Sequence, residues 1–362
     1  MRTRIVLPLL AALLSCLTAA SSYAITPVAE SVRHHTAPCF APAQNVNCEV
    51  SGVVRSGDQL ILVNDKQMPS PGSPAVFTLR LDGQRINAEP VYLPGETLRK
   101  ADKYEALTST LDGRYILAST AFNKEGTAQK PELDALNTLL YWPQGAPEQA
   151  KVLAPSSRGG VTSSRGLRDK ISQVIGSPYF QVEALTITPD KQLLVGIRKH
   201  GQNSKVADFS FLLLAVPLIQ EGNELTLGDS FTKVLDLKPE DLTRKLGLPD
   251  GSHPELGISG IEYDRYSKNR FYAVTSFEKE NTLGGYLWVL PLEQGKVGQP
   301  QPVKGGDGKP VAFANKPEGV EILDRRHVLV VHDDDRVKVK PSADGNVRED
   351  HEFAYSVVTL TP

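Results

Sequence analysis

Five stretches of this chain are copies of one pattern, and that repetition limits the fold more than any single residue does. They are Ser51 to Asp65 (SGVVRSGDQLILVND), Glu105 to Thr120 (EALTSTLDGRYILAST), Glu183 to Arg198 (EALTITPDKQLLVGIR), Ser259 to Ser276 (SGIEYDRYSKNRFYAVTS) and Glu318 to Asp333 (EGVEILDRRHVLVVHD). Each opens with Ser or Glu, continues with a small residue and then Leu, Val or Ile, and passes a polar turn into a second apolar run. Two short runs joined by Asp-Gly, Pro-Asp-Lys or Asp-Arg read as a β-hairpin. A third run follows in each copy: Val76 to Leu81, Thr138 to Trp142, Phe211 to Leu218, Tyr286 to Leu292 and Val357 to Leu360. A fourth follows in the earlier copies, at Ala150 to Leu153 and Phe231 to Leu237.

Four antiparallel strands per unit, repeated, are the signature of an all-β propeller. The copies start at 51, 105, 183, 259 and 318, so the steps are 54, 78, 76 and 59 residues, with long loops absorbing the excess. Five blades are expected, with six as the alternative if an insertion hides a degenerate copy. The fifth copy reaches the C-terminus one strand short, so a segment around Val28 to His34 is expected to supply the missing strand and close the ring. The apolar residues alternate or cluster without a helical period, except in Arg165 to Ile175, where Leu167, Ile171 and Val174 share one face of a short helix. Trp142 and Trp288 fall in third runs and read as blade-packing residues.

The N-terminus carries an address. Arg2 and Arg4 precede an apolar run from Ile5 to Leu14, and Ser22-Tyr23-Ala24 supplies small residues for a cut after Ala24. The run is short and contains Pro8, so it reads as a signal peptide over residues 1–24 rather than a membrane span. A lipoprotein anchored at Cys16 is the alternative. The remaining 25–362 reads as one propeller domain without a transmembrane segment, in the periplasm or secreted. Cys39 and Cys48 are then the remaining pair, expected as a disulfide in an exported chain. Forty basic against 42 acidic residues leave no basic excess to suggest nucleic acid.

In a propeller the innermost strand begins, and the second strand ends, at one rim of the central channel. That rim should collect Ser51, Glu105, Glu183, Ser259 and Glu318, together with Asn64, Asp65, Arg198, Lys199, His332, Asp333, Asp334 and Asp335. Carboxylates aimed at one axis repel, which raises their pKa values or recruits a cation. Glu105, Glu183, Glu318 and Asp65 are the candidate ligands for a divalent metal such as calcium, which takes oxygen ligands. Asp333 and His332 are the candidate proton carriers, and Arg198 the candidate clamp for an anionic substrate. The blander alternative has each glutamate capping a strand or pairing with Arg198, and His332 to Asp335 forming a solvated loop. Arg158, Arg165 and Arg168 lie in a Ser- and Gly-rich insert that reads as an anion site or as a solvated loop. The chain has no G-x-S-x-G, H-E-x-x-H, phosphate-binding loop or dinucleotide fingerprint.

The copies Val182-Glu183-Ala184-Leu185 through Arg198, Gly257 to Asp264, and Lys316-Pro317-Glu318-Gly319-Val320 through Asp335 resemble the "esterase-like activity of phytase" family, over roughly residues 45 to 360. The resemblance implies an exported bacterial propeller and hydrolysis of phosphate or carboxylic esters. Three functions follow: a metal-assisted ester or phosphoester hydrolase acting on a small molecule, a non-catalytic ligand- or protein-binding propeller, and a lactonase-like enzyme.

Overall fold

Each of the five copies folds as the hairpin its turn predicts, and each hairpin becomes the inner half of one blade. The computed structural model describes residues 26–361 apart from 42–45, 67, 69–74, 88, 281 and 343–344. The expected signal segment, the expected cut after Ala24 and Cys16 lie outside the described residues.

The inner strands are Val50–Ser56, Tyr104–Ser109, Tyr179–Ile187, Gly257–Tyr263 and Pro317–Ile322. Each is followed by an antiparallel second and third strand. Every inner strand packs against the inner strands of both neighbouring blades, so the five close into one ring around a central channel. That count decides against six. Between blades the outer faces of the strands meet in apolar layers, such as Leu117, Tyr141, Leu185 and Leu214 between the second and third. Burying each such side chain contributes about 1.5–3 kcal/mol, and these layers hold the blades face to face. Trp142 and Trp288 are buried in third strands, where Trp288 Nε1 donates to Thr275 Oγ1 at 2.8 Å.

The ring is closed as the unfinished fifth copy requires. Val28–Pro38 pairs antiparallel with Glu352–Leu360, from Ala29 opposite Leu360 to Pro38 opposite Glu352. Directly after this closing strand, Cys39 is bonded to Cys48, which leads into the first blade. The disulfide therefore ties the strand that finishes blade five to the strand that begins blade one. Backbone bonds from Cys39 N to His351 O and from Cys48 N to Asp350 O, both 2.8 Å, hold the same corner. Among the described residues no helix is long and apolar enough to cross a membrane.

The helix Arg165–Ile175 forms over the span its periodicity predicts, burying Leu167 and Ile171 and ending at Gly176 with φ 70°. Its neighbourhood answers the question of the arginine insert. Arg158 pairs with Asp134 at 2.6 Å, and Arg168 is buried, donating to Phe122 O and to Pro178 O. These two arginines are neither a solvated loop nor open to an anion; they anchor the insert to blade two.

Candidate active site at the channel mouth

Antiparallel pairing puts every residue of a strand opposite one partner unless a bulge leaves one over. In all five inner strands the residue left over is the first residue of the copy. Val50 pairs with Asn64 and Gly52 with Val63, which skips Ser51. The same step skips Glu105, Glu183, Ser259 and Glu318. A bulge bends its strand and re-aims the extra side chain, and here Ser51, Glu105, Glu183 and Glu318 line the axial void, while Ser259 Oγ donates to Pro317 O at 2.8 Å. The next residue is Gly or Ala in every copy because the strands nearly touch there. A Cβ on Gly260 would lie 2.6 Å from Glu318 O, and one on Gly319 3.2 Å from Gly52 Cα. The void enclosed at this level measures about 10 Å³, the space of a single water.

Two residues ahead of the bulge, three copies carry a further charge, Glu49, Lys103 and Lys316, all within the same network. Lys103 Nζ bridges Asp65 Oδ2 at 2.7 Å and Glu105 Oε1 at 2.6 Å. Arg198 Nη1 lies 3.2 Å from Glu318 Oε1 and 3.9 Å from Glu183 Oε2. Lys316 Nζ meets Glu318 and Asp335, each at 3.2 Å, and Glu278 at 3.4 Å. Lys66 Nζ meets Glu49 at 2.5 Å and Asp65 at 2.8 Å. Asp333 lies 3.9 Å from Lys316, so eight carboxylates share four cations in this network.

That imbalance splits the carboxyl groups. Burial pushes Glu183 up to about 7, with Arg198 opposing and Glu318 adding to the rise. Burial and the neighbouring Glu183 raise Glu105 well above the ordinary range, against the pull of Lys103. Asp65 goes the other way: burial is outweighed by Lys103 and Lys66, which hold it below its ordinary value. Lys103 sits in left-handed backbone at φ 60°, a conformation that costs a non-glycine residue about 1–2 kcal/mol and that aims its ammonium between the two carboxylates.

The mouth thus gathers Asp65, Glu105, Glu183, Arg198, Glu318 and Asp333. His332 stands apart. Successive residues of a strand face opposite ways, and His332 is buried on the other side, its Nε2 2.7 Å from Ser356 Oγ and its ring 5.3 Å from Phe313. Burial and His34 lower it to about 3, so it is neutral at pH 7 and is no proton carrier for the mouth. Arg198 is likewise committed: it is buried between Glu183 and Glu318 rather than free to clamp an anion. The solvated-loop alternative fails too, since Asp333 and Asp334 are buried and Asp334 accepts from Lys316 N at 2.9 Å.

For a metal, the donor chemistry fits and the grouping differs from expectation. Glu318 Oε2 is buried without a hydrogen-bond partner. Yet Lys103 stands between Asp65 and Glu105, and Arg198 between Glu183 and Glu318, so these four do not surround one point. Among the described residues, the carboxylates whose oxygens lie within 4.8 Å of one another are Glu49, Asp65 and Asp333.

The far end of the channel carries a second acidic pair, three residues beyond the bulge in copies four and five. Glu262 is 1% exposed; its Oε2 accepts from Thr108 Oγ1 of blade two at 3.2 Å, and its Oε1 has no hydrogen-bond partner. Arg265 Nη2 lies 3.5 Å from that Oε1. Burial, opposed by Arg265 and reinforced by Glu321, pushes Glu262 up to about 8. Glu321 is raised by burial while accepting from the backbone of Arg55 at 2.6 Å and Ile322 at 2.8 Å.

No family model matches the sequence, and no curated protein is similar to it. Solved structures of similar fold include an α-L-arabinofuranosidase from Podospora anserina (10% identity, TM-score 0.44, 93% of this chain and 97% of that one). A PQQ-bound aldose sugar dehydrogenase from Streptomyces coelicolor (13%, 0.37, 91% and 100%) and a glycosyl hydrolase from Bacteroides ovatus (9%, 0.39, 93% and 93%) are also similar. The fold and the blade count rest on this chain's own strand pairing.

Proposed function

We propose that this chain is an exported hydrolase of small esters or phosphoesters, with its chemistry at the bulged mouth of the propeller channel. The observation that carries the reading is the split of carboxyl groups joined by buried cations: Asp65 is held below its ordinary value by Lys103 and Lys66, while burial raises Glu183 to about 7 and lifts Glu105 well above the ordinary carboxyl range. Groups whose environments push their pKa values apart are suited to act as base and acid in one turnover. Glu183 would donate or take the proton at the leaving oxygen, and Asp65 would orient the attacking water. Lys103 keeps Asp65 ionised and fixes its distance from Glu105. A divalent cation held beside Asp65 would polarise the ester oxygen. The Cys39–Cys48 disulfide supports export, since such bonds persist in oxidising compartments.

The test is turnover of p-nitrophenyl phosphate, short acyl esters and lactones by the wild type and Glu183→Gln, with calcium and with chelator. Glu183→Gln keeps the shape and removes the titrating group, so activity should fall about 10²–10⁴-fold, the usual contribution of a general acid or base. No turnover on any of the three classes refutes the hydrolase. The second reading, a ligand-binding propeller, is favoured by a cavity of about 910 Å³ away from the mouth, between Thr138, Lys151 and Leu227, large enough for a small ligand.

A further inference from the structure

We propose that the cavity between blades two and three is a peptide-binding site, in which an extended segment of a partner protein, apolar at alternate positions, adds a strand to the free edge of Glu224–Leu227. This rests on the ligand-binding reading of that cavity, gives it the chemistry of its ligand, and leaves the hydrolase at the mouth untouched.

The third strand of blade three, Ala207–Glu221, runs four residues past the end of its pairing with the second strand at Pro217. It turns at Gly222, with φ 61°, and returns as Glu224–Leu227. Among the described residues this returning strand pairs with Leu218 to Glu221 alone, so its other side is an edge. Antiparallel partners alternate between exchanging both backbone bonds and exchanging none. Gly228 N donates to Pro217 O at 2.8 Å, which makes Thr226 with Ile219 and Glu224 with Glu221 the bonded pairs. Leu225 and Leu227 therefore turn their N–H and C=O groups outward. Tyr141 Oη takes the Leu225 N–H, which leaves the Leu227 N–H and both carbonyls facing out.

That edge borders the cavity of about 910 Å³, which is within the size range of ligand sites. Four residues of edge run about 13 Å at 3.3–3.4 Å per residue, room for a strand of equal length. Blade two and its insert supply Val152, Pro155 and Val161 to the lining, an apolar surface for every second side chain of a strand. Glu224 ties the edge to blade two: its Oε2 accepts from Tyr141 Oη at 2.6 Å, and its Oε1 meets Lys151 Nζ. The site is thus held in place before a ligand arrives, which lowers the cost of binding.

A strand edge pairs with another chain unless charge, proline, a bulge or a covering element blunts it. Leu225, Thr226 and Leu227 carry no charge and no proline, and their pairing with the neighbouring strand has no bulge. Outward donors and acceptors spaced at every second residue are matched by another extended backbone rather than by a compact small molecule. In such strand addition the main-chain bonds give affinity, and the pockets for alternate side chains give selectivity. Lys100 and Lys151 are balanced by Glu132 and Glu224 in the lining, so charge favours neither an acidic nor a basic peptide.

The experiment is selection of a phage-displayed random heptapeptide library on the wild-type full chain, with counter-selection on Thr226→Trp. A synthetic copy of the enriched peptide is then titrated by fluorescence anisotropy. Thr226 is exposed and lines the cavity, so tryptophan there fills the site without entering the core. The wild type should enrich peptides apolar at alternate positions. Methylating alternate backbone amides of the peptide should weaken binding at least ten-fold, and methylating the amides between them less than two-fold. Leu227→Pro removes an outward donor that the hairpin itself does not use, and it should weaken binding at least five-fold. No enrichment on the wild type over Thr226→Trp overturns the proposal. Equal affinity for every methylated peptide also overturns it, as does unchanged affinity in a folded Leu227→Pro. If Leu227→Pro does not fold, the methylated series on the wild type decides alone. A p-nitrophenyl ester that binds the wild type and not Thr226→Trp, with no peptide enriched, overturns the peptide and keeps the ligand-binding reading. A dimer in sedimentation that Thr226→Trp dissociates places a second copy of this chain on the edge and overturns the peptide as well.

Discussion

Replacing Glu262 with glutamine should flatten the dependence of stability on pH. Glu262 is fully buried at the far end of the channel, and its carboxyl is raised from its ordinary 4.5 to about 8. The folded protein therefore holds a proton that the unfolded chain releases above pH 4.5. The stabilising contribution of that proton is complete below pH 4.5 and is lost as pH rises to 8. Each pH unit in this window costs about 1.4 kcal/mol, so the whole loss is on the order of 3–5 kcal/mol. That is a large share of the roughly 5–15 kcal/mol by which a domain is stable.

Glutamine imitates the protonated acid and cannot ionise. It carries a fixed cost of its own, because Thr108 claims one terminal atom and the other stands beside Arg265. Such a cost, about 1–3 kcal/mol for an unpaired buried polar group, is the same at every pH and cancels in the comparison. Urea unfolding of both proteins at pH 5, 6, 7, 8 and 9 gives the slopes. The wild type should lose stability relative to Glu262→Gln from pH 5 to pH 8, and the two curves should run parallel from 8 to 9. Parallel curves across the whole range would show that Glu262 is ionised in the folded state, refuting the reading of the far mouth.

Two further perturbations test the ring itself. Deleting residues 26–35 removes most of the strand paired with Glu352–Leu360, and differential scanning calorimetry should show a fall in Tm of many degrees; an unchanged Tm would mean the ring holds without this closure. Gly260→Ala places a Cβ 2.6 Å from Glu318 O, so denaturant unfolding should show a loss of about 1–3 kcal/mol from overpacking; a neutral result would mean the inner strands can move apart.

The parts of this fold that were legible in the sequence are those written locally. The hairpin turns and the alternating runs fix strands within a few residues, and five copies ending one strand short dictate closure by the N-terminus. The bulges were not legible, because a leftover residue exists only relative to a partner strand. Lys103, Lys316 and Glu49 escaped because they precede the repeated motif, although their common position two residues ahead of it was visible. Glu262 and Glu321 occupy matching places in Ser259-Gly260-Ile261-Glu262 and Glu318-Gly319-Val320-Glu321, a signal present in two copies of five. His332 was grouped with Asp333 by adjacency, whereas adjacency in a strand puts side chains on opposite faces.

The closing strand has a kinetic consequence. Ala29 finds its partner in Leu360, so the strand Val28–Pro38 cannot pair until Leu360 has been synthesised. Until then blade five lacks its outer strand, and the corner pinned by Cys39 and Cys48 cannot reach its bonds to Asp350 and His351. Pairings this distant in sequence slow folding, since the chain entropy of a long loop is lost before any contact is gained. A chain of this design stays open at one seam until its most distant strands meet.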